Sequence, residues 1–143
     1  MQKFQNKMEK EKIIESGKRK RAVARAVLIK NGSGKVTINK KDINHLHIFD
    51  KLKMQEPLRI AQEVLGNLNF DVEIRVSGGG DKGQIEAARI ALSKVIIKFS
   101  NSEKLKEAYT LYDRNMIIAD VRRKETYKPG DSKARRKRQK SFR

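Results

Sequence analysis

Residues 70–99 read FDVEIRVSGGGDKGQIEAARIALSKVIIKF, and this stretch decides the fold. Phe70, Val72, Ile74 and Val76 alternate with Asp71, Glu73, Arg75 and Ser77. A period of two marks a strand with one apolar and one wet face. Gly78, Gly79 and Gly80 come next. Beyond them Ile85, Ala88, Leu92, Val95 or Ile96, and Phe99 recur every three or four residues, the spacing of a helix with one apolar stripe. Asp81 and Gln84 stand at capping-box spacing. The Asp81 carboxylate is therefore expected to take the N–H of residue 84, with Gln84 reaching back to the N–H of residue 81. Strand, glycine loop and helix together form a scaffold with an anion-friendly corner.

Towards the N-terminus, Gly66 and Asn67 stop a helix striped by Leu58, Ala61, Val64 and Leu65. Pro57 is expected in its first turn, where no N–H is needed. Residues 40–53 are harder to read. His45, His47 and Asp50 lie close in sequence, but without cysteines or a spaced second cluster they read as packed or surface side chains, not metal ligands. Ala22–Lys30 reads as a strand, with Ala22, Ala24, Ala26 and Leu28 on one side and Val23, Val27 and Ile29 on the other. Both faces are apolar enough to be covered at least in part. Asn31-Gly32-Ser33-Gly34 is a turn, and residues 35–39 return as a second strand with Val36 and Ile38 inward, which predicts a hairpin. Ser16-Gly17 punctuates the chain ahead of Lys18-Arg19-Lys20-Arg21. Residues 1–15 are Lys/Glu-rich, with Phe4, Met8, Ile13 and Ile14 scattered among them, and read as a solvated helix or frayed end. The order strand, strand, helix, strand, glycine loop, helix makes the chain α+β: one small sheet with helices packed on one face.

Towards the C-terminus, Ser100-Asn101-Ser102 can cap a short helix over about residues 103–109, and Met116-Ile117-Ile118 is the last apolar cluster. Residues 121–143 carry eleven Lys or Arg against Glu125 and Asp131, a net of +9 and half the +18 of the whole chain. Such a segment buries too little apolar surface to offset its conformational entropy, so it is expected to order only on a partner. Fully extended at about 3.3 Å per residue it would reach roughly 75 Å.

Charge also narrows the function. At 143 residues the chain suits one domain with a modest core. A surplus of +18 repels itself unless a polyanion neutralises it, and so points to a phosphate-rich partner. No run approaches the ~18 apolar residues of a membrane span, and no signal-peptide core opens the chain. Phe142 stands alone in the tail, whereas an interfacial membrane helix needs apolar anchors at helical spacing. The absence of cysteine fits a reducing compartment. The composition therefore describes a soluble, intracellular protein that binds nucleic acid.

Gly78, Gly80 and Gly83 spell G-x-G-x-x-G between a strand and a helix. A dinucleotide site needs a further parallel strand and an acidic residue after it, whereas here a short helix and a cationic tail follow. A Walker loop needs Gly-Lys-Ser/Thr, but Gln84 follows Gly83. The helix N-terminus remains an anion site, with Lys82 adding charge and Gly83 leaving room. The glycines equally suit a tight strand-to-helix turn, and both readings hold together if the ligand is an RNA backbone phosphate. No nucleophile, base and acid fall into a catalytic arrangement, so the chain reads as a non-enzyme with no cofactor, no metal and no small-molecule substrate.

At these residues the sequence resembles the universal family of small-subunit ribosomal protein nine, in its archaeal and eukaryotic form. The matching words are Ser16-Gly17-Lys18-Arg19-Lys20 with Ala22-Val23-Ala24-Arg25-Ala26, then Met54 with Glu56-Pro57-Leu58, and Gly78-Gly79-Gly80 with Gly83-Gln84 and Ala87-Ala88-Arg89. They continue with Tyr112-Asp113-Arg114, Asp120 with Arg122-Arg123, Lys128-Pro129, and the closing residues 133–143. The resemblance spans about residues 16–143.

The resemblance implies a fold like the second domain of small-subunit ribosomal protein five, with a left-handed βαβ crossover, although connections of this kind are generally right-handed. It also implies a structural constituent of the small subunit that works in the cytoplasm. Its partners would be ribosomal RNA of the subunit head, neighbouring head proteins and the anticodon stem-loop of P-site transfer RNA, with no membrane. Residues 1–15 would be an extension, 16–120 the globular RNA-binding domain and 121–143 a threaded tail.

Carried over, the RNA contacts would come from Lys18, Arg19, Lys20, Arg21, Arg25, Gly79, Gly80, Lys82, Gly83, Gln84, Arg114, Arg122 and Arg123. Lys128, Lys133, Arg135, Arg136 and Lys137 would continue them along the tail, and Arg138, Lys140, Ser141, Phe142 and Arg143 would approach the transfer RNA. Phe142 stands where the archaeal and eukaryotic form usually has tyrosine, which keeps stacking but loses a hydroxyl contact. Two rivals remain: an RNA-processing role like that of the bacterial ribonuclease P protein, and a small nucleotide-binding enzyme using the glycine loop.

Overall fold

The computed structural model describes residues 12–127 together with Pro129, Ala134 and Ser141. Its sheet has five strands in the order β1-β2-β5-β3-β4. They are β1 (Lys12–Arg19), β2 (Ala22–Lys30), β3 (Val36–Ile38), β4 (Lys41–Asp42) and β5 (Phe70–Ser77). Three helices accompany them: α1 (Ile48–Leu65), α2 (Asp81–Ser100) and α3 (Glu103–Tyr112). Short 3₁₀ turns at Ile43–His45 and Arg114–Met116 complete the path. The α+β expectation holds. On β5 the residues Phe70, Val72, Ile74 and Val76 are buried while Arg75 and Ser77 are exposed, as the alternation predicted.

Four readings need correction. Residues 12–15 belong to a strand, not to a solvated helix or frayed end. The chain runs unbroken through Ser16 and Gly17 as β1, which pairs antiparallel with β2 from Lys12↔Ile29 to Arg19↔Ala22. The sequence hid this because the core-facing residue of the strand is a glycine. A Cβ on Gly17 would stand 2.3 Å from the carbonyl oxygen of Ala87 and 2.6 Å from the nitrogen of Ala91. Ala22, Ala24 and Ala26 on β2 and Ala87, Ala88 and Ala91 on α2 are all fully buried. Small residues on both layers let the helix lie almost on the backbone of the sheet.

Second, β2 and β3 do not form a hairpin. β5 lies between them, antiparallel to β2 (Ala26↔Ile74) and parallel to β3 (Ile38↔Ile74). The Asn31–Gly34 turn steps over the start of β5, with Gly32 N–H donating to Asn69 O at 3.4 Å and Gly34 N–H to Phe70 O at 3.1 Å. The Asp71 carboxylate secures it, accepting from the N–H groups of Ser33 at 2.8 Å and Lys35 at 2.9 Å. Turn chemistry is local, so it could not reveal a strand that arrives forty residues later.

Third, α1 begins at Ile48, and Pro57 sits in its interior. Proline removes one helical hydrogen bond there. Its ring is fully buried, and Tyr109 Oη on α3 donates to its carbonyl oxygen at 2.7 Å. Tertiary packing outweighs the local penalty. Fourth, no capping box forms. Gly80 is the N-cap of α2 and Asp81 is its first helical residue, while Gln84 Nε2 donates to Gly78 O at 3.1 Å.

The core lies between the sheet and the helices, around Leu28, Met54, Phe70, Ile74, Leu92, Ile96 and Leu105, all essentially inaccessible. Phe70 meets Phe99 edge to face with centroids 5.3 Å apart. α2 is buried on more than the expected stripe, since Ala87, Ile90, Ala91 and Ser93 are covered as well. Ser102 caps α3 as anticipated, its hydroxyl accepting from Leu105 N–H at 3.4 Å. His47 stacks against Phe49, with ring centroids 5.7 Å apart, and Asp50 pairs with Lys82 at 2.8 Å. His47 and Asp50 thus take separate partners.

Candidate nucleic-acid interface

The two-residue turn between β1 and β2 is Lys20-Arg21, and Lys20 adopts a left-handed φ of 52°. Both residues are exposed. The turn sits beside the glycine loop because β2 and β5 pair down to Val23↔Ser77. Gly78 and Gly79 have φ of 77° and 66°, and a Cβ on Gly78 would come 2.6 Å from Arg21 O. These two glycines allow the close approach of loop and turn. Gly80 differs: its φ is −105°, and no atom lies within 4 Å of where its Cβ would be.

Between turn, loop and the chain leaving the body lies a cleft of about 730 Å³, lined by Arg19, Lys20, Arg21, Gly79, Gly80, Gly83, Arg122, Arg123 and Lys124. Residues separated by about one hundred positions meet here. Six of the lining side chains are cationic, and two of these are neutralised from behind. Arg19 Nε lies 2.6 Å from Glu86 Oε2, and its Nη1 pairs with Asp120 Oδ2. Arg122 reaches the same Asp120 oxygen with Nε at 2.8 Å and Nη2 at 2.7 Å. The Arg122 guanidinium and its N–H, followed by Arg19, hold the Asp120 carboxyl far below the usual carboxylate range.

Lys20, Arg21, Arg123 and Lys124 have no carboxylate partner among the described residues. Arg123 donates to the main-chain carbonyls of Asp120 and Arg122 at 3.0 and 2.9 Å, and Lys124 Nζ lies 4.7 Å from the centroid of the Tyr127 ring. Uncompensated cations around a concave surface, beside a helix N-terminus, favour an anionic occupant.

Several other sequence candidates lie elsewhere. Lys18 is exposed one residue beyond the core-facing Gly17, on the sheet face turned away from α2. Arg25 is exposed on that same face, in register with Ser16 and Arg75. Arg114 is exposed in its 3₁₀ turn. Lys82 is adjacent to Gly83 but its ammonium is tied to Asp50, and Gln84 serves the glycine loop. Ser141 is exposed. Lys128, Lys133, Arg135, Arg136, Lys137, Arg138, Lys140, Phe142 and Arg143 lie outside the described residues.

The sequence reading left Lys124 and the two acids Glu86 and Asp120 out of the site, although Asp120 stood beside Arg122-Arg123 in the family resemblance. Lys124 was legible as the third cation of Arg122-Arg123-Lys124. Glu86 left only a faint signal, as a carboxylate in a basic chain. A second network behind the site joins Arg89 of α2 to Glu56 of α1 at 2.5 Å and to Asp113 at 2.8 Å. It ties both helices to the start of the segment that ends in the cleft. Among the described residues, no helix is long and apolar enough to cross a membrane.

A profile of the ribosomal protein S9/S16 family matches residues 17–143. Small ribosomal subunit protein uS9 of Methanococcus vannielii is 44% identical over 130 residues, covering 89% of this chain and 95% of its own. The uS9 protein of Methanococcus maripaludis is 45% identical over the same coverage.

Proposed function

Because the chain belongs to the ribosomal protein S9/S16 family, and so is a structural constituent of the small ribosomal subunit and not an enzyme, we propose that its cationic cleft grips a backbone segment of ribosomal RNA in the subunit head while its tail threads onward to P-site transfer RNA. The cleft carries the first half of this reading. Lys20, Arg21, Arg123 and Lys124 converge on it with no carboxylate of the described chain to neutralise them, and backbone phosphates supply the missing charge. Gly80 and Gly83 line the cleft without side chains, so a phosphate can come close beside the N-terminus of α2.

The tail supports the second half through its charge. Residues 121–143 carry a net of +9 and have little to bury. Arg138, Lys140, Ser141, Phe142 and Arg143 would meet the anticodon stem-loop, with Phe142 stacking on a base or sugar and the cations on phosphates. Exposed Lys18, Arg25 and Arg114, away from the cleft, would contact other RNA of the head or its neighbouring proteins. The working location would be the cytoplasmic ribosome.

Ribosomes carrying a chain that lacks residues 140–143 test this reading. Subunit incorporation is expected to stay largely intact and retention of P-site transfer RNA to weaken. Normal retention would remove the tail claim. Sedimentation in low and high salt tests the cleft: the free chain should bind small-subunit RNA and release it steeply as salt rises.

A further inference from the structure

Residue 120 marks the point where the chain leaves the body. Met116 is fully buried and Ile117 packs on the core, whereas every residue from 121 to 127 is exposed. The Asp120 side chain is only 12% exposed, and its carboxylate gathers groups from both sides of that boundary. From the body comes Nη1 of Arg19, itself held to α2 through Glu86 at 2.6 Å. From the tail comes Arg122, with its guanidinium on Oδ2 and its backbone N–H on Oδ1 at 2.8 Å.

A carboxylate that takes both the main chain and the side chain of the second residue onward fixes the local backbone path. Because it also holds an arginine of the sheet, that path is fixed relative to the body. Removing the negative charge would leave Arg19 and Arg122 facing each other as like charges.

We propose that Asp120 is a positioning residue, a clamp between Arg19 and Arg122 that aims the root of the tail at the cationic cleft before any RNA arrives. The aim stands on the ion pairs of the free chain, and its use in threading RNA rests on the function proposed above. A tail already pointed along the cleft has less orientational freedom to lose on binding.

The chain has no cysteine, so Glu63→Cys and Thr126→Cys together place one spin label on α1 and one on the tail root. Electron–electron distance measurement on the free full-length chain should give a narrow distribution. Asp120→Asn should widen it roughly twofold, and Asp120→Glu should keep it narrow. Equal widths for Asp120 and its Asn variant, or a broad distribution in the unaltered chain, would overturn the proposal.

Should the Asn variant fail to fold, Arg122→Gln removes the tail-side guanidinium while keeping the backbone N–H bond, and must still widen the distribution; an unchanged width would overturn the proposal. In small-subunit RNA binding, Asp120→Asn should lose about threefold to tenfold in affinity, even though it removes no cation and frees Arg19 and Arg122 from their carboxylate. Unchanged affinity would overturn the use of the clamp in binding. If the unaltered chain ignores the RNA, the proposed function falls while the distance measurement still judges the clamp.

Discussion

Tyr109 Oη donates to the carbonyl oxygen of Pro57 at 2.7 Å, inside the core. Burial pushes the Tyr109 phenol well above its ordinary value, so it stays a neutral donor at any physiological pH. The bond joins α3 to the middle of α1, one residue from Glu56 and its ion pair with Arg89. Tyr109→Phe keeps the ring and deletes the donor, while the carbonyl retains its helical amide four residues on. The expected loss is about 1 kcal/mol, read as a fall of roughly 2–4 °C in the unfolding midpoint.

Gly17 and Gly80 make opposite predictions for the same substitution. Gly17→Ala drives a methyl into backbone atoms 2.3 and 2.6 Å away, so α2 must lift from the sheet. A cost of about 3 kcal/mol or more is expected. Gly80→Ala meets nothing within 4 Å at an ordinary φ. It should leave stability within about 0.5 kcal/mol while reducing affinity for small-subunit RNA. Chemical denaturation and RNA titration of the two variants check both statements.

Asp71 stabilises the turn that carries the chain across β5. Hydrogen bonds from the N–H of Lys35 and then of Ser33 hold its carboxyl below the ordinary 3.8. A depressed folded value means that the contribution is fully present above about pH 5, declines as the unfolded carboxyl begins to take up its proton, and is gone below the folded value. Asp71→Ala should therefore cost about 1 kcal/mol at pH 7, since the site is partly solvated. The gap between variant and unaltered chain should close as the pH falls below 3.8. Denaturation midpoints from pH 7 to pH 2.5 give the test.

Cations of the cleft should differ in what their removal does. Lys20→Ala, Arg21→Ala and Lys124→Ala each remove a charge with no carboxylate partner among the described residues, and each should flatten the salt dependence of RNA binding by roughly one counterion. Arg19→Ala removes a group already paired with Glu86 and Asp120. Its effect should be a loss of stability and of tail order, with a smaller change in slope. Binding isotherms at several salt concentrations, alongside thermal unfolding, separate the two classes.

Much of the fold was legible because its signals are periodic. Ala22–Lys30, the strand at residues 70–77 and the helix that begins at residue 81 all follow from spacing. The errors cluster where a contact between distant residues overrides a local rule. Gly17 looked like a break but is the point of closest approach between helix and sheet. Asn31–Gly34 has hairpin chemistry, yet its strands are parted by β5. Pro57 resembled a helix start because local rules do not foresee a helix that packs its proline away. At the site, Lys20 and Arg21 were readable from charge, and Arg122 and Arg123 from the family resemblance. Lys18, Arg25 and Arg114 lie away from the cleft because charge runs do not disclose which face a strand presents. Asp120 stood beside Arg122-Arg123 in the family resemblance, but neither its role nor Glu86 could be read, since a carboxylate that aims an arginine looks like any other in sequence.

The place of β5 between β2 and β3 also sets a timetable for synthesis. Residues 12–30 can zip into their hairpin as soon as they emerge, and β3 can pair with β4, but the facing edges of β2 and β3 must wait for residues 70–77. Through some forty further residues the nascent chain exposes half-built, apolar edges. Those edges close when the central strand slides home, and the apolar face it completes waits in turn for α2 and α3.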